Sequence, residues 1–132
     1  MRLDDLKRTL EEARDSQQIG EAVSLRVHLQ LSAADANVAE SCAAILDLAS
    51  TCFDAEGLNT TIQESNDGRQ ISLLGQTSNG RSVFVTVGAG AAKSAYISLL
   101  LVGNHGTVEL NGGHRFDERQ WDASLPQDAA HG

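Results

Sequence analysis

Glu21-Ala22-Val23-Ser24-Leu25-Arg26-Val27-His28-Leu29-Gln30-Leu31 decides the fold class. Val23, Leu25, Val27, Leu29 and Leu31 alternate with Ser24, Arg26, His28 and Gln30. Apolar residues at period two, with polar residues between them, predict a strand with one buried face. The same alternation puts Arg26 and His28 two residues apart on the other face. There they meet solvent, a ligand or a second subunit.

On either side of this strand the period is helical. Leu3, Leu6, Leu10 and Ala13 form a narrow apolar stripe, predicting a helix over 3–18 that ends at Gly20. So narrow a stripe suits a helix packed at the margin of the domain or against another chain. Downstream, Val38, Cys42, Ile45, Ala49, Cys52 and Phe53 recur at helical spacing, and Leu46 and Leu48 widen the apolar side. They predict a long helix over 32–56, with Ser32 or Asp35 as cap and Gly57 as terminator.

After Gly57 the period returns to two. Leu58, Thr60 and Ile62 face one way, and Asn59, Thr61 and Gln63 the other. Asn66-Asp67-Gly68 and Thr77-Ser78-Asn79-Gly80 are hairpin turns, because Asn, Asp and Gly tolerate positive φ. They separate strands at 69–76 and 81–87, the second with Val83, Val85 and Val87 on one face. Ala95–Val102 is almost continuously apolar, which predicts a strand covered on both faces, with a short helix as the alternative. Gly103-Asn104-His105-Gly106 turns the chain into a short strand at Thr107–Leu110. Helix, strand, helix and then a meander predict an α+β fold: an antiparallel sheet of about five strands, one long helix on one face, and an N-terminal helix. The expected divisions are an N-terminal helix at 1–20, a sheet domain at 21–121 and a mobile tail at 122–132, with Trp121 as its anchor.

Composition narrows the function classes. The chain has 132 residues, 41% hydrophobic and 21% charged, which suits one folded domain. A formal net charge of −8, with basic residues scattered singly apart from Lys7-Arg8, argues against nucleic-acid and anionic-membrane partners. Acidic residues directly after Met1-Arg2-Leu3 argue against a targeting peptide, and no apolar run reaches membrane-spanning length. Cys42 and Cys52, ten residues apart on one predicted helix, lie about 15 Å apart along its axis, too far for a disulfide. They read as buried apolar residues of a cytoplasmic protein.

Few residues carry a chemical signal. Gly88-Ala89-Gly90-Ala91-Ala92-Lys93-Ser94 ends like a phosphate-binding loop, but Val87 and Ala92 stand where that loop needs glycines. His105 and His114 fall near Asp117 and Glu118 without metal-ligand spacing, so no metal site is assigned. No catalytic residue and no cofactor are assigned either. Arg26, His28 and Lys93 are the candidates for holding a small polar or anionic ligand. The plainer reading of Arg26 and His28 is a wet or subunit-facing sheet surface.

Ile97-Ser98-Leu99-Leu100-Leu101-Val102-Gly103-Asn104-His105-Gly106-Thr107-Val108-Glu109-Leu110 resembles the late strand–turn–strand of the C-terminal domain of Gfo/Idh/MocA oxidoreductases. There a strand runs into a Gly-x-x-Gly-Thr turn and a short strand. The order before it, and the Asn79-Gly80-Arg81 turn ahead of an apolar strand, are similar too. The family's dinucleotide-binding half has no counterpart, with no Gly-x-Gly-x-x-Gly after any predicted strand. Its Glu-Lys-Pro motif is missing; the only proline is Pro126. The resemblance implies a sheet domain whose open face pairs with a second subunit, not a working dehydrogenase.

Two functions are therefore expected. One is a module that self-associates through its sheet as a homodimer, since something must cover the second face of 95–102. The other is an oxidoreductase-related accessory or substrate-binding subunit.

Overall fold

A computed structural model describes residues 3–15, 19–33, 37–52, 58–90 and 95–111. Two helices, α1 (Leu3–Asp15) and α2 (Val38–Cys52), lie on one side of a six-stranded sheet. The strands are β1 (Ala22–Leu31), β2 (Asn59–Glu64), β3 (Gln70–Gln76), β4 (Ser82–Ala89), β5 (Tyr96–Gly103) and β6 (Thr107–Asn111), in the spatial order β2-β3-β4-β1-β5-β6. The α+β class stands. The sheet has six strands, not about five, and it is mixed: β1 runs parallel to β4, and all other pairs are antiparallel. The turns bring β2, β3 and β4 together locally, and likewise β5 and β6. The longest strand, β1, lies between those two blocks and is paired on both edges.

Alternation produces the core. Leu25, Val27, Leu29 and Leu31 of β1 pack with Val83, Val85 and Val87 of β4 and Ile97, Leu99 and Leu101 of β5, all buried. Register lines these residues up in cross-strand rows on this side. One row runs Ile62, Leu73, Val85, Val27, Leu99, Leu110 across all six strands. α2 covers β4, β3 and β1 with Val38, Cys42, Ile45, Leu48 and Ala49. Burial pushes the Cys42 thiol up from its ordinary pKa, so it behaves as a small apolar residue.

The two helices are similar in length over the described residues, 13 and 15. α2 begins at Val38, not Ser32, because the Asn37 side chain takes the capping role by accepting from the Glu40 N–H at 3.0 Å. Asp35, Phe53 and Gly57 lie outside the described residues. α1 does not sit at the margin: Leu6 and Leu10 are fully buried in the shared core, and the helix packs on α2. Its exit is strapped to the β5–β6 turn. The His105 N–H donates to the Ile19 carbonyl at 2.8 Å and the Asn104 N–H to the Glu21 carbonyl at 3.0 Å. The Glu21 N–H donates back to Asn104 Oδ1 at 2.9 Å. Gly20 takes φ +71°, which lets the segment pass beneath the His105 ring.

The predicted turns form as expected. Gly68 and Gly80 have φ of +70° and +87°. In the first, Asp67 Oδ1 accepts from Ser65 Oγ at 2.6 Å and from the Arg69 N–H at 3.0 Å. The Ser65 hydrogen bond is the largest of the effects that lower the Asp67 carboxyl pKa. Trp121 and the tail from 122 lie outside the described residues, as does His114.

Candidate functional site

With both helices on one side, among the described residues no helix or strand covers the other side of the sheet. Pairing register lays its side chains out in rows. One row is Thr61, Leu74, Phe84, Arg26, Leu100 and Glu109, from one edge to the other. The next is Gln63, Ser72, Thr86, His28 and Ser98. Beyond it lie Gln70, Gly88, Gln30 and Tyr96. A strip of hydroxyl and amide groups thus runs beside an apolar row that carries one Arg and one Glu.

Arg26 and His28 share this open face, as the alternation predicts, but their surroundings differ. Arg26 is exposed, with Phe84 and Leu100 as its cross-strand neighbours. His28 is half-buried and bonded on both ring nitrogens. Nδ1 is hydrogen-bonded to Thr86 Oγ1, and Nε2 lies 3.0 Å from the Tyr96 hydroxyl. The His28 and Tyr96 rings are tilted by 50°, with centroids 5.5 Å apart. Both partners are hydroxyls, able to donate or accept, so the ring stays satisfied in either neutral tautomer and when charged. Lys93 lies outside the described residues, so its side chain is not placed beside the other two.

Sequence reasoning missed Gln30. Its amide lies against Gly88 of β4, where an added Cβ would come within 2.6 Å of Nε2. Gln30 Oε1 is buried without a hydrogen-bond partner, while Nε2 lies 3.5 Å from His28 Nε2. The absent Cβ of Gly88 was the available signal, and it meant nothing until the β1–β4 pairing was known. Beside Gln30 a cleft of about 260 Å3 opens between the β2–β3 turn and the end of β4, lined by Ser65, Asp67, Arg69, Gln70, Gly88, Ala89 and Gly90. It offers one carboxylate, one guanidinium, one hydroxyl and the side-chain amides of Gln30 and Gln70. No group of three or more metal-ligating side chains occurs among the described residues. His105 sits exposed in the β5–β6 turn.

Charge is distributed unevenly over the molecule. In a chain of net charge −8, the charged side chains that the described strands put on the open face are Arg26 and Glu109, of opposite sign, with Asp67 and Arg69 at its end in the cleft. Among the described side chains, the helix layer carries Glu11, Glu12 and Asp15 with Lys7 and Arg8 on α1, and Glu40 and Asp47 on α2. The open face also exposes Leu74 and Phe84, by 41% and 40%.

This arrangement of two helices and a mixed sheet recurs in solved dehydrogenases. A myo-inositol dehydrogenase from Corynebacterium glutamicum superposes with a TM-score of 0.65 at 13% identity, over 83% of this chain and 38% of its own. A scyllo-inositol dehydrogenase from Lactobacillus casei gives 0.64 at 16%, over 80% and 37%. A myo-inositol dehydrogenase from the same organism, in complex with NAD(H) and myo-inositol, gives 0.63 at 18%, over 79% and 35%. The chain has the fold of one part of these enzymes. It spans little more than a third of their length, and its likeness to the Gfo/Idh/MocA sheet domain is one of fold. No protein-family model matches the chain, and no curated protein matches it by sequence. No Gly-x-Gly-x-x-Gly follows any described strand.

Proposed function

We propose that this chain is a self-associating module whose open sheet face docks on the same face of a second copy. The observation that carries the reading is the charge map. A surface left to solvent in so acidic a chain would share the acidic excess. This one instead shows Leu74, Phe84, Leu100 and Val102 among uncharged polar groups, with one cation and one anion on its strands. Charge depletion around apolar and aromatic side chains is the mark of an interface centre. A two-fold axis lying in the plane of contact brings this face of one copy onto the same face of the other.

The face is also large enough. Six strands about 4.8 Å apart span about 24 Å, and seven residues at about 3.3 Å run about 23 Å. That is on the order of 550 Å2 in projection, and side-chain relief brings it near the roughly 800 Å2 per partner of a stable complex.

Leu100→Lys tests the reading. It places an ammonium in the apolar row without touching the helix side. The dimer dissociation constant from sedimentation is expected to rise at least tenfold, with unchanged circular dichroism. An unaltered constant would show that the face is not the contact.

A second reading is favoured by the cleft beside Gln30 and by the dehydrogenase fold. On it, the chain is an accessory subunit that binds a small polar molecule near Arg26 and His28, with a separate protein supplying the cofactor. Neighbours of this fold are enzymes of inositol chemistry, so polyols head the panel. A melting shift with inositols that Gln30→Ala abolishes is the expected result, and the lack of a shift at millimolar polyol would remove the idea.

A further inference from the structure

Strand β2 is an edge of the described sheet. All six residues from Asn59 to Glu64 are exposed, and among the described residues β3 is the one strand paired with it. The β2–β3 register shows which backbone groups point outward. The Ser65 N–H donates to the Gln70 carbonyl, which makes that pair hydrogen-bonded. Antiparallel alternation then turns Gln63 and Thr61 towards β3 and leaves the N–H and C=O of Thr60, Ile62 and Glu64 facing away.

Protein edges are usually guarded by lysine, proline, a bulge or extreme shortness. β2 reads Asn-Thr-Thr-Ile-Gln-Glu, with neither lysine nor proline and with a single charge, Glu64, at its end, and its register against β3 runs unbroken. The core row that crosses the sheet through Leu73, Val85 and Val27 also ends here, on Ile62, which is 55% exposed. An apolar row that stops in solvent beside free backbone donors is an unfinished sheet.

We propose that β2 pairs antiparallel with β2 of a second copy, centred on Ile62, so that two six-stranded sheets become one. The register follows from the chemistry. Centred on Ile62, Thr60 lies opposite Glu64 of the partner subunit and Ile62 opposite Ile62 of the partner subunit. All three outward residues of each copy are then used, Thr60 offers its hydroxyl to a carboxylate, and the core row continues across the junction. Centred on Glu64, two carboxylates would oppose each other in a chain that already carries −8. Centred on Thr60, Glu64 would be left out. This junction is separate from the open face and does not depend on the reading of that face.

So narrow a contact between acidic chains is weak, and a covalent trap reads it best. Facing residues of a hydrogen-bonded antiparallel pair have Cα atoms about 5.5 Å apart, within the roughly 4.4–6.8 Å reach of a disulfide. Ile62→Cys in the full chain, under mild oxidation, is expected to give at least ten times more covalent dimer than Thr60→Cys. In this register the two copies of position 60 are about 13 Å apart. Mass spectrometry of the joined peptide separates this bond from any made by Cys42 or Cys52. Equal trapping at the two positions, or none at either at high protein concentration, overturns the proposal. Adding Leu100→Lys to Ile62→Cys keeps the two surfaces apart: the edge bond is expected to persist when the face contact is lost.

Discussion

Leu10→Ala is expected to destabilise the chain by about 2–5 kcal/mol, the range for a buried leucine that leaves a cavity. Leu10 is fully buried, on the first helix, among residues of α2 and the sheet. The narrow stripe of Leu3, Leu6, Leu10 and Ala13 suggests a helix at the margin, where the same change would cost well under about 1 kcal/mol. Urea unfolding followed by circular dichroism separates the two. One cooperative transition, moved to lower urea with its slope kept, is the expected result. A large loss also means that the helix at 3–15 unfolds with the sheet and not before it.

Gly103→Ala is the second large effect, expected at about 3 kcal/mol. A Cβ at this position would stand 2.1 Å from the Ile19 carbonyl oxygen and 2.8 Å from its carbon. The obstacle is backbone, so no rotamer change relieves it. Overpacking of this kind costs about 1–3 kcal/mol. Moving Ile19 away also forfeits the hydrogen bond from His105 and strains the two between Asn104 and Glu21, each worth about 1 kcal/mol. The conformation of Gly103 is ordinary; its role is close approach. A change below about 1 kcal/mol would mean that the segment leaving α1 is not held by the β5–β6 turn.

What could be read along the chain was what neighbouring residues decide. Val27, Leu29 and Leu31 alternate with His28 and Gln30, so the two faces of β1 were legible before any pairing was known. Asn66-Asp67-Gly68 and Asn79-Gly80 announce their turns because the backbone there needs positive φ. The start of α2 was legible only to within a few residues. Ser32, Asp35 and Asn37 are all competent caps, and the choice falls on the one whose oxygen meets the Glu40 N–H.

Strand order was not legible. Nothing near β1 in sequence says that it lies parallel to β4, a pairing that brings Thr86 to His28 across 58 residues. The site suffered most from this. Arg26 and His28 were visible as two polar residues on one face. That the one stands between Phe84 and Leu100 and the other between Thr86 and Tyr96 depends on register across three strands. Gln30 and Gly88 could be linked only after β1 and β4 were paired.

The neutrality of the open face was hidden for the same reason. Composition reports an acidic chain. Only the fold shows that, among the described residues, the helix layer carries an acidic excess while the strands put a balanced pair on the far side of the sheet. In the proposed face-to-face pairing, that separation keeps the acidic side chains of the helices away from the contact.

The most direct measurement is the solution mass of the unmodified chain by light scattering, from micromolar to millimolar protein. The open face predicts a rise from the 14.0 kDa protomer to twice that mass as concentration increases. It also predicts that Leu100→Lys returns the mass to that of a folded protomer. A mass that stays at one protomer throughout would contradict self-association and leave Arg26, His28 and the cleft beside Gln30 as a solvent-facing ligand surface.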